Sequence, residues 1–348
     1  MDSIRVHRDS ISVVDQSLLP DRMVWLKLSS LGDFAKAIGS MKVRGAPLIG
    51  IVGAFGIALA AKRSKATSKG ALLEELARAA SLLLSTRPTG KNLSWALQRV
   101  LDSARSAKGL EEARRAAVRT ARAILEEDEL ANRAIGKIGS RLVRNGESVL
   151  THCNTGSLAT GGYGTALGVI RAAWEGGKRV TVYATETRPL LQGSRLTCFE
   201  LKRLGIPVKL IVDGAAGHVL SAGLVSKVFV GADRVLLSGH VINKVGTYPI
   251  AALAKENGVP FYVAAPTSTI DPETPVEKVS LEYRDASEVL TLQGRRIAPK
   301  GVAALNPAFD VTPPKFVSGI VTEKGVAYPP FRRSLKNLLE KPKRPVSA

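Results

Sequence analysis

From Ser148 onward, the sequence alternates short apolar runs with longer segments of helical periodicity. The apolar runs are rich in valine and isoleucine, which is typical of strands buried on both faces of a sheet. Strands and helices in this order predict βαβ units and a parallel sheet covered by helices. The predicted strands are Val149–Thr151, Val180–Ala184, Val208–Val212, Lys227–Val230 and Phe261–Ala265, and the predicted helices span residues 161–174, 193–204, 216–223 and 247–257.

The preceding part of the chain is mostly helical in pattern, with a little β structure near its start. Two short strands, Ile11–Asp15 and Met23–Leu28, predict an N-terminal hairpin, and the predicted helices span residues 31–41, 47–62, 70–84, 93–107 and 110–145. We therefore predict an α/β protein with two domains. A small, mostly helical N-terminal domain with short strands covers residues 1–130, and a Rossmann-like parallel-sheet domain covers residues 131–348.

The charge of the chain bears on its partners. A formal net charge of +20 at pH 7 invites comparison with nucleic-acid-binding proteins. The basic residues are spread along the chain, however, and only 5% of the residues are aromatic, too few for the stacking platforms of single-strand binders. The composition therefore argues against nucleic acid as a partner and favours a small anionic substrate.

Targeting segments and cofactor motifs are not apparent in the sequence. Residues 1–19 carry scattered charges and lack the apolar core of a signal peptide, and the apolar run 47–61 is shorter than a bilayer span. The two cysteines do not have metal-ligand spacing, and no glycine motif for a dinucleotide or a P-loop follows the first predicted strand. We expect a cytoplasmic protein with no membrane contact, no bound metal and no cofactor.

Polar residues follow the predicted strands, at the edge where an open α/β sheet binds its ligands. Cys153 follows the first strand and Asp233 follows the fourth. A cysteine at such a corner is either a reactive thiol or a small buried residue, and the residue pattern leaves both interpretations open. Cys198 lies among apolar residues of a predicted helix and is interpreted as core, whereas Asp213 and Asp271 are interpreted as helix or turn caps.

Arg44 precedes a helix rich in glycine and alanine, whose first N–H groups suit an anion. An arginine before a helix is, however, more often simply a solvated residue, so this signal alone is weak. A thiol, a carboxylate and several cations together suit proton transfer on a phosphorylated, polyhydroxylated substrate better than hydride transfer or metal-dependent hydrolysis.

Eight motifs, in order and at regular positions from about residue 10 to residue 330, resemble the methylthioribose-1-phosphate isomerases. They are VDQSLLP (14–20), KVRGAPLIG (42–50), RPTGKNL (87–93), THCNTGSLATGGYGTALG (151–168), ETRPLLQGSRLT (186–197), GADRV (231–235), NKVGTY (243–248) and PFYVAAPTSTID (260–271). The resemblance implies a dimeric enzyme with a helical N-terminal domain and a Rossmann-like C-terminal domain. It further implies that 5-methylthioribose-1-phosphate is converted to 5-methylthioribulose-1-phosphate in methionine salvage.

The resemblance also implies the roles of particular residues. The catalytic cysteine and aspartate of the family correspond to Cys153 and Asp233. The substrate contacts of the family correspond to Arg44, Gly45, Ala46, Arg87, Gln192, Asn243 and Lys244. We expect Asp233 to protonate the ring oxygen, and we expect Cys153 to act as a base or to stabilise the transition state.

Two departures from the family pattern affect local hydrogen bonding. Thr185 stands where an acidic residue often precedes the ETRP motif, and residues 236–240 replace a segment that commonly has small residues and an acidic one. The same superfamily includes ribose-1,5-bisphosphate isomerases and the regulatory subunits of an initiation-factor exchange complex, and these remain alternatives. The intact thiol and acid favour an enzyme, and the apolar residues 47–49 beside Arg44 favour a thioether over a second phosphate. Lys91 is one spare cation that would favour the bisphosphate.

Overall fold

The computed structural model describes residues 2–88 and 90–340, which form two compact units. Unit 1 consists of Met1–Asn132 and Gly156–Gly164, and unit 2 consists of Arg133–Thr155 and Thr165–Ala348. No sequence pattern indicated that Gly156–Gly164 belongs to unit 1. The division of the chain into folding domains after residue 130 stays a prediction. Thr89, within the RPTGKNL motif, lies outside the described residues.

Unit 1 begins with an antiparallel sheet of three strands, β1 (Ile4–Val6), β2 (Ile11–Val14) and β3 (Trp25–Leu28). The predicted hairpin corresponds to β2 and β3. The third strand, β1, was not predicted, because its three residues include a charged one and form no recognisable apolar run. It pairs with β2 along its whole length, so the hairpin is part of a larger sheet.

The helices of unit 1 agree closely with the prediction. They are α1 (Leu31–Gly39), α2 (Ala46–Arg63), α3 (Lys69–Ser85), α4 (Lys91–Ser106) and α5 (Leu110–Gly139), and the division between the units falls within α5. The Ser30 hydroxyl accepts from the Asp33 N–H while the Asp33 carboxylate accepts from the Ser30 N–H, so a capping box fixes the start of α1. The last helix ends at Gly139, six residues before its predicted end at residue 145, and a short 3₁₀ turn follows it.

Helix α2 lies at the centre of unit 1, and most of its side chains are buried. A Cβ at Gly50 would lie 2.7 Å from the Asn92 carbonyl oxygen, so glycine is required where α4 packs against the backbone of α2. The helix has 18 residues and the composition of a membrane span, which corrects the prediction that this run is too short. However, 72% of it is buried inside the protein, as in a core helix.

Unit 2 is built from short strands and helices. Its strands are β4 (Ser148–Thr151), β5 (Thr181–Thr185), β6 (Val208–Ile211), β7 (Lys227–Val230), β8 (Arg234–Leu236), β9 (Val241–Lys244), β10 (Phe261–Ala264), β11 (Ile270–Asp271), β12 (Thr291–Leu292), β13 (Arg295–Arg296), β14 (Phe309–Thr312), β15 (Gly319–Thr322) and β16 (Gly325–Ala327). Its remaining helices are α6 (Ala166–Glu175), α7 (Cys198–Arg203), α8 (Ala216–Ser221), α9 (Thr247–Glu256), α10 (Ser287–Leu290) and α11 (Phe331–Glu340).

The main sheet of unit 2 has the strand order β16-β15-β10-β7-β4-β5-β6. All neighbouring strands are parallel except the final hairpin of β15 and β16. From β4 the chain adds β5 and β6 on one side and then β7, β10 and β15 on the other, which is the order of a Rossmann fold. The predicted α/β class is therefore confirmed, and the five predicted parallel strands are all present.

Both faces of the central strand β4 are buried, with successive side chains pointing in opposite directions, whereas Lys209 and Leu210 of the edge strand β6 are exposed. Val149 belongs to one apolar cluster, which includes Ile135, Val169 and Leu201. The next residue, Leu150, belongs to the other cluster, which lies on the opposite face. A strand buried on both faces has no polar alternation, which is why β4 was predictable as a continuous apolar run.

A second, smaller sheet has the strand order β11-β8-β9-β14. It was not predicted, because its strands have only two to four residues each and mix apolar with charged residues. In this sheet β8 and β9 form an antiparallel hairpin, and β14 pairs antiparallel with the other edge of β9. The strand β9 ends in Asn243 and Lys244, so this sheet positions two of the predicted substrate contacts.

Three predicted helix bounds in unit 2 need correction. The helix predicted from residue 161 begins at Ala166, because Tyr163 and Gly164 have positive φ angles that a right-handed helix does not allow. The helix predicted over residues 193–204 consists of a π-helical turn, Gly193–Thr197, followed by α7. The helix predicted over residues 216–223 ends at Ser221, two residues before Gly223, whose φ is also positive.

Candidate active site

The strand order of the main sheet reverses between β4 and β7. Cys153 lies two residues beyond the end of β4, and Asp233 lies three residues beyond the end of β7. In open α/β sheets, ligands bind beyond the carboxyl ends of the strands at such a reversal. The fold therefore places the segments that carry the two predicted catalytic residues at the ends of neighbouring strands.

Cys153 is half-buried and has a φ of +64°, a left-handed conformation that residues with a side chain rarely adopt. Its backbone is held on both sides. The Cys153 N–H donates to Thr187 Oγ1 (2.9 Å), and the Cys153 carbonyl accepts from Thr197 Oγ1 (2.6 Å). Both threonines are completely buried. The corner after β4 is thus fixed by two hydroxyl groups from the segment that follows β5.

Thr187 is itself in the left-handed region, with a φ of +65°. This conformation is strongly disfavoured for a β-branched residue, and such strain costs about 1–3 kcal/mol. The Asp213 carboxylate compensates by accepting the N–H groups of Thr187 (2.8 Å) and Arg188 (2.7 Å). Asp213 therefore binds a turn, as predicted, but the turn belongs to a different segment of the chain.

His152 is fully buried beside Cys153. Its Nε2 lies 2.8 Å from the Val245 carbonyl oxygen and its Nδ1 lies 2.6 Å from Thr185 Oγ1. Because a carbonyl only accepts, Nε2 carries the hydrogen and Nδ1 accepts from the threonine hydroxyl. Burial lowers the pKa of His152, and the Lys244 cation lowers it too, whereas the Val245 carbonyl and Asp213 raise it. His152 is therefore a neutral structural group.

The first departure from the family pattern, Thr185, is explained by this contact. Its hydroxyl donates to His152 Nδ1, and its backbone carbonyl accepts from the Thr187 hydroxyl at 3.2 Å. A neutral hydroxyl in place of a carboxylate leaves the neighbouring imidazole uncharged. The pair is thus a neutral hydrogen bond and not an ion pair.

The predicted acid, Asp233, lies at the base of the hairpin formed by β8 and β9. Its side chain is half-buried, and its backbone N–H donates to the Ile242 carbonyl oxygen at 2.9 Å. Asn243 and Lys244 follow Ile242 directly. The hairpin therefore brings the predicted acid and two of the predicted substrate contacts to the same end of the small sheet.

The side chains of Asn243 and Lys244 are both buried and fixed in place. The Asn243 amide donates to Thr247 Oγ1 at 3.0 Å. The Lys244 ammonium donates to the Ala308 carbonyl at 2.9 Å and lies 4.8 Å from the centre of the Phe309 ring. A buried cation with a carbonyl and an aromatic ring beside it is pre-oriented, which reduces the entropy lost when it binds an anion.

Asp310 is an acidic residue near this site that no sequence pattern indicated. It lies opposite Asn243 in the pairing of β14 with β9, and its carboxylate accepts from the N–H groups of Gly246 (2.7 Å) and Tyr248 (3.1 Å) at the start of α9. Burial raises the pKa of Asp310 to about 6, against the opposing effect of these hydrogen bonds and Lys244. Its role is to cap α9, and no local sequence signal connects it with that helix.

Gln192 precedes the π-helical turn, and its side chain is 5% exposed. Its Oε1 atom is buried and has no hydrogen-bond partner among the described residues. A buried amide oxygen without a partner costs about 1–3 kcal/mol, and such atoms are rare in native proteins. This oxygen therefore has unused hydrogen-bonding capacity, and the role of Gln192 as a substrate contact stays a prediction.

The second departure, residues 236–240, forms the turn between β8 and β9. Ser238 Oγ lies 2.9 Å from His240 Nδ1, and burial lowers the pKa of His240. Gly239 has a φ of +86°, and a Cβ there would lie 2.5 Å from the Phe331 ring. The departure is thus accommodated in the hairpin tip, at the opposite end of β9 from Asn243.

The remaining predicted contacts belong to unit 1. Gly45 is the N-cap of α2 with a φ of +99°, and Ala46 is the first residue of that helix. A Cβ on Gly45 would lie 2.5 Å from the Ala159 backbone, so only glycine allows Gly156–Gly164 to pass so close. Arg44 is half-buried beside this N-terminus, which carries the positive end of the helix dipole.

Arg87 follows the end of α3 and is half-buried. Its carbonyl accepts from the Gly90 N–H at 3.0 Å, which closes the turn into α4. Lys91, the spare cation of the RPTGKNL motif, is the first residue of α4 and is exposed. Among the described residues, no group of three His, Cys, Asp or Glu side chains has a geometry that would hold a metal ion.

Comparison with known proteins gives a consistent result. The sequence model of the initiation factor 2 subunit family matches residues 42–329. The methylthioribose-1-phosphate isomerase of Acetivibrio thermocellus is 49% identical over 329 residues, which cover 94% of this chain and 96% of that protein.

Solved structures include the 5-methylthioribose 1-phosphate isomerase of Pyrococcus horikoshii OT3. It has a TM-score of 0.91 and 43% identity, with 97% of this chain and 96% of that chain covered. A structure described as translation initiation factor eIF-2B, subunit delta, from A. fulgidus has a TM-score of 0.87 and 44% identity, with 98% and 100% covered. On the strength of the family match and these near-full-length relatives, the chain belongs to the initiation factor 2 subunit family.

Proposed function

We propose that this protein is an aldose–ketose isomerase that converts 5-methylthioribose-1-phosphate to 5-methylthioribulose-1-phosphate in methionine salvage. The observation that carries this proposal is the relative of that name with 49% identity over nearly the whole of both chains. The presence of Cys153 and Asp233 beyond the two strands of the reversal supports it from the structure. The reaction predicted from the sequence motifs is thereby confirmed at the level of its class.

The reaction requires an acid, because a phosphate on C1 prevents the sugar ring from opening spontaneously to an aldehyde. We propose that Asp233 donates a proton to the ring oxygen as the bond between C1 and that oxygen breaks. The hydrogen on C2 then moves to C1, and the C2 hydroxyl gives its proton to the Asp233 carboxylate as the ketone forms, which restores the acid. Cys153 serves either as the base that removes the C2 proton or as a group that stabilises a hydride shift.

Two groups of substrate contacts are part of the proposal. Arg44, Gly45, Ala46 and Arg87 belong to unit 1, and Gln192, Asn243 and Lys244 belong to unit 2. Arginine and lysine side chains form strong charge-assisted hydrogen bonds with phosphate. The unpartnered Gln192 Oε1 suits a sugar hydroxyl, because that oxygen needs a donor.

The choice between the thioether and a second phosphate depends on the far end of the sugar. A second phosphate needs additional cations or N–H donors, whereas a methylthio group needs apolar surroundings. Pro47 is half-buried beside the proposed contacts of unit 1 and Leu48 is fully buried, while the spare cation Lys91 is exposed. We therefore expect kcat/KM to favour 5-methylthioribose-1-phosphate over ribose-1,5-bisphosphate by at least about tenfold, or roughly 1.4 kcal/mol.

The proposal is tested by incubating the purified protein with each sugar phosphate and following ketose formation by ¹³C NMR. Turnover of the methylthio sugar with the stated preference supports it. Equal or reversed preference would assign the protein to bisphosphate isomerisation. The Cys153→Ala variant is the matched control, because it retains the fold and the phosphate contacts but lacks the proposed thiol.

A regulatory, non-catalytic role is the second candidate, because a solved structure described as an initiation-factor subunit is 44% identical to this chain. A binding protein would not require the thiol and the carboxylate together at the strand reversal. Absence of turnover with both sugars would favour this second role. We further propose that the protein works in the cytoplasm as a homodimer, which sedimentation equilibrium of the purified chain would test.

A further inference from the structure

We propose that Thr187 and Thr197 are positioning residues that hold Cys153 in its left-handed conformation and thereby orient its thiol. This inference rests on the proposed function for its kinetic readout, but its geometric basis lies entirely within unit 2. Nothing in the family resemblance assigned a role to either threonine. Both lie in the ETRPLLQGSRLT motif, near the proposed substrate contact Gln192.

The first observation is that the two hydroxyls bind the two backbone groups of the same residue. Thr187 accepts from the Cys153 N–H at 2.9 Å, and Thr197 donates to the Cys153 carbonyl at 2.6 Å. Together they fix the peptide groups on both sides of the Cys153 Cα atom. A residue whose two flanking peptides are fixed cannot relax from a φ of +64° to the common region at negative φ.

The second observation is that other contacts set the direction of each hydroxyl. The Thr187 hydroxyl lies 3.2 Å from the Thr185 carbonyl oxygen. The Thr197 hydroxyl accepts from the Asn154 amide at 3.3 Å, and that amide also donates to the buried Glu200 carboxylate at 2.8 Å. Thr187 Oγ1 also lies 3.2 Å from Thr185 Oγ1, whose proton goes to His152. The Thr187 hydroxyl therefore donates to one or the other Thr185 oxygen, and in both cases it accepts from the Cys153 N–H.

A third residue, Asp213, supports Thr187. The Asp213 carboxylate accepts from the N–H groups of Thr187 and Arg188, and so holds Thr187 in its own left-handed conformation. Asp213 thus holds Thr187 in place, and Thr187 in turn holds Cys153. A change at Asp213 should therefore act on the thiol in the same direction as a change at Thr187, but more weakly.

The consequence for the reaction is geometric. If Cys153 relaxed to negative φ, its Cβ and Sγ atoms would swing to a different side of the backbone. A displacement of about 1 Å in a reacting group costs on the order of 10²-fold in rate. Substrate binding through the phosphate would be little affected, because the proposed phosphate contacts are elsewhere.

The test compares Thr187→Val, which removes the hydroxyl but keeps the shape, with Thr187→Ser, which keeps the hydroxyl. In a Cys198→Ala background, the rate of Cys153 alkylation by iodoacetamide is measured together with kcat and KM. We expect Thr187→Val to lower kcat at least about tenfold with KM within about threefold. Since a released thiol reaches the reagent more often, we expect alkylation to rise at least about threefold. Thr187→Ser should restore both values to within about threefold.

The matched control is Thr322→Val. Thr322 is a completely buried strand residue whose hydroxyl donates to the Gly325 carbonyl at 2.9 Å. It should change neither alkylation nor kcat, and circular dichroism should show that all the variants are folded. If Thr187→Val does not fold, Thr197→Val and Asp213→Asn are measured in the same way, and unchanged alkylation in both would overturn the proposal.

Unchanged alkylation and kcat in a folded Thr187→Val variant would also overturn it. So would a Thr187→Ser variant as impaired as Thr187→Val, because packing of the methyl group and not the hydroxyl would then explain the effect. Alkylation requires no sugar substrate. If the wild-type protein turned over neither sugar phosphate, the proposed function would fail while the alkylation series would still decide the role of the threonines.

Discussion

The two cysteines of this protein lie in regions of opposite character. Cys198 begins α7 with ordinary helical angles, and burial raises the pKa of its thiol to about 11. Cys153 lies beyond the end of β4 in a left-handed conformation, with a hydroxyl bound to each of its backbone groups. Both side chains are half-buried.

The difference shows that the exposed fraction of the side chain alone does not distinguish the two thiols. The two cysteines differ in the free-energy cost of their backbone conformation. A left-handed cysteine stores about 1–3 kcal/mol of strain that a helical one does not, and such strain tends to accumulate at functional sites. Around Cys153 the buried hydroxyl groups of Thr187 and Thr197 offset that cost, whereas Cys198 simply continues the π-helical turn into α7.

The largest expected effect is the loss of kcat on replacement of Cys153, and its absence would refute the distinction between the two cysteines. Cys153→Ala should lower kcat for 5-methylthioribose-1-phosphate at least about 10³-fold, because general acid–base or electrostatic groups contribute typically about 10²–10⁴-fold. Cys198→Ala should stay within about twofold of the wild type. Steady-state kinetics on the two folded variants measure both, and equal losses at the two positions would refute the distinction.

The next largest effect concerns Asp233, which lies beyond β7, the neighbour of β4 where the strand order reverses. Asp233→Asn should lower kcat at least about 10²-fold while KM stays within a few fold, since the amide keeps the shape but donates no proton to the ring oxygen. Asp285→Asn is the matched control, because the exposed Asp285 carboxylate caps a turn by accepting the Ser287 N–H at 2.7 Å. An Asp233→Asn variant with more than about a tenth of wild-type kcat would exclude the acid role.

A smaller effect sharpens the comparison without using a substrate. At pH 8, a thiol with a pKa of about 11 has on the order of 10²-fold less thiolate than an ordinary cysteine, partly offset by its greater nucleophilicity. Iodoacetamide should therefore modify Cys153 about tenfold faster than Cys198. Mass spectrometry of the Cys198→Ala and Cys153→Ala variants gives the two rates separately, and faster modification of Cys198 would contradict its interpretation as the less reactive thiol.

The smallest effect concerns pH and the histidine beside Cys153. Burial lowers the pKa of His152 in the folded protein, so the unfolded chain binds a proton first as the pH falls. The stability due to neutral His152 is therefore complete above the unfolded pKa of about 6.5 and decreases below it, by up to about 1 kcal/mol between pH 6.5 and pH 5.5.

Urea unfolding of the wild type and of His152→Asn over this range measures that effect. The variant should have a flatter pH dependence than the wild type, and His7→Asn, at an exposed position, should not. Parallel curves for the wild type and His152→Asn would show that protonation of this imidazole is not linked to unfolding.

The sequence predicted five of the parallel strands because most of them are short apolar runs, which are typical of strands buried in a sheet. It missed the parallel strand β15, and it missed β8, β9 and β14, which have only three or four residues each and include a charged residue. It also placed the start of α6 too early, because Tyr163 and Gly164 have positive φ angles. The glycines at 161, 162 and 164 were the available signal against a helix there.

For the site, the strand ends and the family motifs pointed to Cys153 and Asp233, and the roles of these residues stay predictions. The residues that hold the Cys153 backbone could not be predicted from the sequence. The hydrogen bonds from Thr187, Thr197 and Asp213 join positions that are 26 to 44 residues apart, and they exist only because two non-glycine residues adopt positive φ. No periodicity or spacing rule predicts such contacts, since they depend on the finished order of strands.

Unit 1 is assembled from two separate segments of the chain, which limits how this protein can be divided into fragments. The chain supplies Gly156–Gly164 to unit 1 after it has already begun the main sheet of unit 2 with β4. Within unit 1, the Ser3 hydroxyl and the Gln16 amide donate to carbonyls of Thr160 and Leu158, and the Gly161 N–H donates to Asp128. A gene fragment that stopped at Asn132 would encode these donors and acceptors without their partners. Unit 1 can therefore not be transplanted intact as one continuous segment of the chain.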